Sequence, residues 1–313
     1  MNDAMTLDRS DVPSGVLALQ DWGVLRAAGA DAAAFLHGQL THDVLHLTPQ
    51  SARLTAWCTP KGRMLMSAVL WRAGDDECLL AMPRSRVAPV LKRLSMFVLR
   101  AKVTLQDASS AWSVWGAVGS VVPAELSQPW AAQRDAEGRL WARLPDGAGC
   151  ARALVLQPAD GPPPVGPSLP PGWWPWLQVM SAVPFVTEPV VEAFVPQMLN
   201  YESVGGVHFQ KGCYPGQEVV ARAQFRGAIK RRGVLLRAAA GPVTVGQEVF
   251  HPADPQQPAG LVADAAPHPR LGTWHALASV QTSALDGQPL HVGGPEGVVA
   301  HVEPLPYPLR DDL

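Results

Sequence analysis

The chain has 313 residues, of which 47% are hydrophobic and 17% are charged, as expected for a globular protein of two or three domains. Its formal net charge of −2 argues against a surface that binds polyanions generally, although a local basic patch is compatible with it. No apolar run approaches the roughly twenty residues that a membrane-spanning helix needs, so we predict that the chain does not span a membrane.

The cysteines indicate a reducing compartment. Cys58, Cys78, Cys150 and Cys213 are widely scattered and contain no C-x-x-C pair, which argues against a zinc ribbon or a self-contained cluster site. The N-terminal residues 1–10 are acidic and lack the apolar core of a signal peptide. We therefore predict a cytoplasmic location.

The first predicted elements lie between residues 15 and 38. Apolar and polar side chains alternate over residues 15–26, which predicts a hairpin or a bent strand. Asp31 is expected to cap an alanine-rich helix that ends at Gly38.

Gln39, Thr41 and Asp43 then leave the helix end in a segment of the kind that often holds ligands. A simple turn explains Thr41 and Asp43 equally well. The neighbouring histidines are His37, His42 and His46. Because Gly38 interrupts the helix and no third ligand type clusters with them, we predict no metal site.

The next segment predicts a ferredoxin-like β/α lobe. Strands at 53–58 and 63–71 flank a hairpin turn at 59–62. A strand at 77–82, a helix at 85–97 and a strand at 100–106 complete the lobe. Further strands are predicted at 112–118, 139–144 and 151–157. A stiff, proline- and glycine-rich surface linker follows, near 158–172.

Three indoles, Trp173, Trp174 and Trp176, open the next predicted helix. Adjacent indoles can line a pocket for a flat heterocycle, but large aromatic side chains more often pack in the core, and we favour packing here.

The most unusual stretch is FQKGCYPGQE at residues 209–218. Cys213 precedes a turn, and residues 217–226 carry apolar side chains at helical spacing. A thiol near a helix start and two residues from Lys211 is favoured as thiolate, so Cys213 is a candidate reactive cysteine. The alternatives are a buried structural cysteine and, for the stripe Arg222, Arg226 and Lys230, a solvated helix face.

Beyond residue 233 the chain predicts a small antiparallel barrel. Its short strands are expected near 233–238, 247–250, 259–264, 273–281 and 297–303.

The run KGCYPGQE at residues 211–218, together with Arg222, resembles the K-G-C-Y-x-G-Q-E signature of the YgfZ family. These are folate-binding proteins implicated in iron–sulfur protein maintenance and related to the T-protein (aminomethyltransferase) of the glycine cleavage system. FLHGQLTHD at 35–43 resembles the family's F-L-x-G-Q-x-T-x-D, TPKGR at 59–63 its glycine turn, and 194–200 its approach to the signature.

The resemblance implies an α+β fold with the T-protein-like three-lobed architecture, including a ferredoxin-like lobe and a C-terminal antiparallel β-barrel. Residues 1–232 would form the folate-binding region of two α/β lobes, and residues 233–313 the barrel.

The resemblance also implies a site. Cys213 and Lys211 would be its reactive residues, and tetrahydrofolate or a derivative its cofactor. The residues expected to bind this cofactor are Gln39, Thr41, Asp43, Gln197, Asn200, Tyr214, Gly216, Gln217, Glu218 and Arg222. The implied partners are iron–sulfur client or assembly proteins; tRNA is a further partner that the net charge does not support.

Two departures from the T-protein argue against aminomethyl transfer. Our alignment places Met66 or Ser67 where the T-protein has the aspartate that orients the folate amine, and neither supplies a negative charge. Met180 stands where the T-protein has the carboxylate that recognises the pterin edge, and a thioether cannot replace that charge-assisted pair.

Four functions remain compatible with the sequence. The first is a folate-binding accessory factor for iron–sulfur proteins, and the second is a folate-dependent one-carbon transferase that acts on a small molecule, a protein or tRNA. The third is a thiol enzyme that uses Cys213 with a histidine base, for which His208 is the nearest in sequence. The fourth is a scaffold that acts through partner contacts.

Overall fold

The computed structural model describes residues 12–225 and 229–310, which form two antiparallel sheets, four α-helices and a closed β-barrel. The first strand, β1 (Gly15–Ala18), belongs to the second sheet. The first lobe then contains, in chain order, β2 (Trp22–Ala28), α1 (Ala32–His37), β3 (Ala52–Cys58), β4 (Met64–Gly74), β5 (Glu77–Pro83), α2 (Arg84–Ser95) and β6 (Thr104–Asp107). Its strands form one sheet in the order β3-β4-β5-β2-β6.

The second lobe is built on the other sheet. Its elements are β7 (Trp112–Val118), β8 (Ala132–Arg134), β9 (Leu140–Gly147), β10 (Cys150–Pro158) and the helix α3 (Trp173–Met180). The strand order is β1-β7-β10-β9-β8. The signature segment leads into α4 (Gln217–Phe225). None of the helices in the described residues is long and apolar enough to cross a membrane.

The barrel closes through the strand order β11-β14-β13-β12-β15-β16. These strands are β11 (Arg231–Ala238), β12 (Glu248–His251), β13 (Asp254–Pro267), β14 (Trp274–Gln281), β15 (Leu290–Val292) and β16 (Val298–Glu303). Small side chains such as Ala276 and Ala278 fill its interior, as the narrow lumen of a small barrel requires. Leu235 points outward instead, into the core that the barrel shares with both lobes.

The alternation of side chains along each strand explains how the sheet of the first lobe packs in two hydrophobic cores. Leu80 packs with the residues of α1 and α2, whereas its neighbour Leu79 packs in the shared core beside the second sheet and α3. Successive side chains of a strand point to opposite faces, so a sheet covered on both sides must be apolar on both. This requirement accounts for the nearly continuous apolar run of β4.

Three local predictions were wrong. The hairpin expected at residues 15–26 does not form, because β1 pairs with β7 and β2 pairs with β5, and alternation alone cannot identify a strand's partner. Asp31 precedes α1, but its carboxylate accepts the N–H of Lys102 (2.7 Å) and does not cap the helix. The 158–172 linker is not confined to the surface, because Leu169 is fully buried and its N–H donates to the carbonyl of Val16 (2.9 Å).

A buried ion pair joins the segment before the signature, residues 194–210, to the barrel. The Arg232 guanidinium donates to the Glu202 carboxylate, and both side chains are almost inaccessible to solvent. Breaking such a pair leaves an uncompensated buried charge, so it fixes the relative positions of the two segments. Glu202 is therefore held by Arg232.

Candidate functional site

The signature turn, residues 211–216, rests on the glycine turn at residues 59–62. Gly216 has φ +83° and Gly62 has φ +72°, a region that favours glycine. A β-carbon on Gly216 would lie 2.5 Å from the carbonyl oxygen of Thr59 and 2.7 Å from the Cα of Gly62. The two turns therefore meet backbone to backbone, and only glycine fits at the contact.

Cys213 is exposed at this turn, whereas Cys58 and Cys78 are buried. Burial raises the pKa of the Cys58 thiol to about 12 and that of the Cys78 thiol to about 11, so both remain protonated at neutral pH. Helix α4 begins at Gln217, four residues after Cys213, so the thiol lies outside the first turn in which a helix dipole acts strongly. The expected thiolate stabilisation by this helix therefore does not follow from the geometry.

Lys211 is buried and anchors the turn. Its ammonium donates to the carbonyl oxygens of His37 and Leu40, the latter at 2.9 Å, and lies 4.7 Å from the centre of the Tyr214 ring. Burial lowers the pKa of Lys211 to about 8, while the charges of Asp43 and Cys213 oppose that shift. Lys211 thus binds the C-terminal end of α1, a role that the sequence did not predict.

Asp43 orients two histidines next to the signature turn. Its Oδ1 lies 3.1 Å from Nδ1 of His37, and its Oδ2 lies 2.6 Å from Nδ1 of His46. Although burial opposes the shift, hydrogen bonds from His46 and the nearby imidazoles hold the pKa of Asp43 at about 2. The ionised carboxylate can only accept hydrogen bonds, so we assign the proton of neutral His37 to Nδ1, although the N–H of Val44 also approaches this nitrogen (3.4 Å).

The other nitrogen of His37 faces the signature turn. A β-carbon built on Gly212 would lie 3.5 Å from His37 Nε2, so the ring edge lies against the residue that precedes Cys213. Burial and the charge of Lys211 lower the pKa of His37, and the ring is neutral at pH 7 with its Nε2 lone pair available. Sequence proximity pointed to His208; the FLHGQLTHD segment contained the signal for His37, which only the fold brings against Gly212, the residue before Cys213.

Several of the predicted cofactor-binding residues make internal hydrogen bonds. Thr41 donates to the carbonyl of Gly206 (2.7 Å) and accepts the N–H of Ala56 (2.8 Å). Gln39 accepts the indole N–H of Trp57 (3.3 Å). The Thr41–Gly206 bond joins the first lobe to the segment before the signature, and the other two bonds lie within the first lobe.

Two of the predicted amide side chains, those of Gln197 and Asn200, are also buried. Gln197 donates to the carbonyl of Val220 in α4 (2.7 Å), and Asn200 donates to the carbonyl of Gly233 (2.8 Å) while it accepts the same residue's N–H (3.1 Å). The structure thus shows a supporting contact for each of them, and their role in cofactor binding stays a prediction.

The residues predicted on α4 lie at the surface. Glu218 accepts a hydrogen bond from Arg222 (2.5 Å) along the exposed helix face, and Gln217 begins the helix. Lys230 lies outside α4, so it does not continue the basic stripe expected from the sequence, and Arg226 lies outside the described residues.

The positions that our alignment pairs with acids of the T-protein hold neutral, mostly buried side chains. The hydroxyl of Ser67 is fully buried and accepts the N–H of Val186 (2.8 Å), and Met66 is also fully buried. Met180 is half-buried and packs against the shared core. These three side chains therefore place no negative charge at this part of the structure.

A cavity of about 130 Å³ lies where the two lobes and the barrel meet. We call it the junction pocket; it is lined by Asp21, Trp22, Pro83, Trp174, Pro175, Gln178, Phe185, Thr187 and Asp264. The rings of Trp22 and Phe185 meet edge to face, with 4.8 Å between their centres. Trp173 and Trp176 are packed in the core, as expected, whereas Trp174 also forms part of this wall.

Asp264 supplies a carboxyl group to the junction pocket from the barrel. It follows a bulge in β13. Burial raises its pKa to about 7, although the N–H of Ala265 and the charge of Arg152 oppose the shift. Arg152 is fully buried, donates to the side chain of Gln178 (3.0 Å) and lies 5.3 Å from the Trp174 ring centre. Asp264 looks like an ordinary strand residue in the sequence, which gives no signal for this position.

The contact between the two glycine turns is testable. Gly216→Ala should lower the free energy of unfolding by about 1–3 kcal/mol, because the new methyl group meets the Thr59 carbonyl at an unfavourable φ. Gly212→Ala is the matched control; the nearest atom to its β-carbon is 3.5 Å away, so its stability should stay within about 0.5 kcal/mol of wild type. Urea denaturation measures both, and equal effects of the two substitutions would contradict the proposed contact.

Comparisons with known proteins agree with this architecture. No protein-family profile matches the chain. The tRNA-modifying protein YgfZ of Cronobacter sakazakii is 30% identical over 236 residues, which cover 70% of each chain. The protein of the same name from Shigella boydii is 27% identical over an alignment of 322 positions, which covers 96% of this chain and 95% of the relative.

Among solved structures, the aminomethyltransferase T of the glycine cleavage system from Bartonella henselae matches with a TM-score of 0.66. The match covers 96% of this chain and 87% of that protein at 12% identity, and it confirms the predicted three-lobed α+β fold with a C-terminal barrel. Given the identity and coverage of its relatives, the chain belongs to the YgfZ family.

Proposed function

We propose that this protein is a folate-binding accessory factor that assists the assembly or repair of iron–sulfur proteins, with Cys213 as its key residue. The observation that carries the proposal is the junction pocket, in which two indoles and two carboxyl groups, those of Asp21 and Asp264, surround one small cavity. Clefts between domains are among the preferred places for small-molecule sites in proteins.

The chemistry of the pocket suits a pterin ring. Trp22 and Trp174 offer flat apolar surfaces against which a ring can stack, and Asp264 offers an acceptor for the amidine-like edge of the pterin. The carboxyl that the sequence lacks at Met180 would thus come from the barrel. Asp264 accepts one hydrogen bond, from the N–H of Ala265 (2.9 Å), yet burial still disfavours its ionised form, so a ligand with paired N–H groups would relieve that cost.

The same structure argues against aminomethyl transfer. The reaction benefits from a negative charge that stabilises the cationic character of the folate amine, and Ser67 offers a neutral hydroxyl already bonded to Val186. Ligand binding without this transfer chemistry is the function that the geometry supports better.

Cys213 would supply the chemistry outside the pocket. An exposed thiol beside a neutral imidazole can lose its proton to that ring and then ligate iron or exchange sulfur. His37, oriented by Asp43, is the base that we assign to this step. The relatives are named as tRNA-modifying proteins, and with a net charge of −2 we propose that this chain acts on tRNA modification indirectly, through iron–sulfur enzymes.

The first test concerns the pocket. Asp264→Asn should weaken tetrahydrofolate binding about 10- to 100-fold at pH 8, because the charge-assisted hydrogen bonds are lost while the shape is kept. Asp254→Asn, on the exposed start of the same strand, is the control and should bind like wild type. Titration calorimetry measures all three proteins. Equal affinity of wild type and Asp264→Asn would remove the carboxyl from the site, and no binding by wild type would remove folate altogether.

The second test concerns the thiol. A thiol that loses its proton to His37 should react with iodoacetamide at a rate that rises with pH below 6.5, where this imidazole loses its proton. His37→Gln should abolish that low-pH rise and slow the reaction at pH 7 by about tenfold or more. His46→Gln removes the exposed partner of the same carboxylate and should keep the wild-type profile. Superimposable profiles for wild type and His37→Gln would exclude the base.

The third test concerns function in cells. Cys213→Ala should fold like wild type, because an exposed side chain contributes little to the core, yet it should fail to restore iron–sulfur-dependent tRNA modification in cells that lack the protein. Cys150→Ala is the control and should restore it. Full complementation by Cys213→Ala would contradict the assigned role, and loss of soluble protein would show that the cysteine is structural.

A further inference from the structure

A second cavity, of about 300 Å³, lies between the end of the glycine turn and the barrel. We call it the arginine pocket. Arg63 enters it from the end of the glycine turn, Phe194 from the segment before the signature, and Arg231, Leu261 and Ser279 from the outer face of the barrel. It shares no lining residue with the junction pocket.

Two guanidinium groups face this cavity and are held in place by backbone carbonyls. Arg63 donates to the carbonyl of Ala193 (2.6 Å), and Arg231 donates to the carbonyl of Ala259 (3.1 Å). Each guanidinium has five N–H groups, so one carbonyl bond positions it and leaves donors for a ligand. Both arginines line this one cavity, and burial, followed by the charge of Arg63, lowers the pKa of Arg231.

The buried hydroxyl of Ser279 also indicates that the arginine pocket holds a ligand, independently of the two arginines. Its side chain is 1% exposed, and its Oγ has no hydrogen-bond partner among the described residues. A buried hydroxyl without a partner is unfavourable, and most such groups in folded proteins are satisfied. A ligand oxygen in the cavity would satisfy this hydroxyl and separate the charges of the two arginines.

We propose that the arginine pocket binds the oxyanion group of a small molecule, a carboxylate or a phosphate. Planar guanidinium groups recognise both in a bidentate manner. Glu248 also lines the cavity, so the three charged side chains carry a net charge of +1, which suits a small anion better than a nucleic-acid backbone. Phe194 and Leu261 provide apolar contacts for the carbon skeleton of the ligand.

The first experiment uses inorganic phosphate and does not depend on folate binding. At constant ionic strength, wild-type protein should show a saturable rise in melting temperature with phosphate, and Arg231→Gln should lose it. Arg237→Gln, which removes an exposed arginine from the same strand, is the charge-matched control and should keep the rise.

The second experiment compares tetrahydrofolate triglutamate with tetrahydropterin, which has no carboxylate. If the glutamate tail of the folate binds in the arginine pocket, wild-type protein should bind the triglutamate more tightly than the tetrahydropterin, and Arg231→Gln should lack this preference.

A response in either experiment that depends on Arg231 supports the site and identifies phosphate or carboxylate as its ligand. Equal responses of wild type, Arg231→Gln and Arg237→Gln in both experiments would overturn it. Ser279→Ala separates binding from folding: it should melt at or above the wild-type temperature without anion and lose part of the anion-dependent rise. A lower melting temperature without anion, together with an unchanged rise, would show that Ser279 is structural and would overturn its assignment to the ligand.

Discussion

The buried ammonium of Lys211 determines where the signature turn lies. Removing a lysine from water is costly unless its charge meets acceptors, and here the carbonyls at the end of α1 and the face of Tyr214 provide them. The C-terminal end of a helix carries partial negative charge, which adds to the attraction. With Lys211 and Tyr214 held inside, the chain between them must turn outward, and Cys213 is exposed for that reason.

The barrel contributes more to the candidate sites than its place at the end of the chain suggests. Its interior is filled by its own small side chains, so its outer strand faces are free to pack against the two lobes. Asp264 reaches the junction pocket from this outer face, and Arg231 and Ser279 reach the arginine pocket. Charged groups that the first lobe and α3 lack, compared with the T-protein, are thus available from a different part of the fold.

Local chemistry explains which features could be predicted from the sequence. The KGCYPGQE run is short and rich in turn residues, so the turn, the start of α4 and the family were all readable from neighbouring residues. The absence of a carboxylate at Met66, Ser67 and Met180 could also be recognised from the sequence, because a missing charge needs no partner to be recognised. The turn residues and the missing carboxylates are both recognisable from single residues and their neighbours in the chain.

The unpredicted features depend on contacts between residues far apart in sequence. His37 approaches Gly212 only because Lys211 binds the end of α1, and Asp264 reaches Trp174 only because α3 packs on the barrel. The strand partners of β1 and β2 could not be predicted for the same reason, since alternation identifies a buried face and leaves the neighbouring strand open.

Two separate groups therefore determine the environment of the thiol. Lys211 fixes its position but directs its hydrogen bonds at carbonyl oxygens, and α4 begins too far along the chain for its dipole to act strongly on Cys213. The group that we propose as the proton acceptor for the thiol is His37, whose ring lies against Gly212 and whose Nδ1 faces Asp43. Because Asp43 follows Thr41, which is bonded to Gly206, the orientation of His37 is coupled to the packing of the first lobe against the segment before the signature.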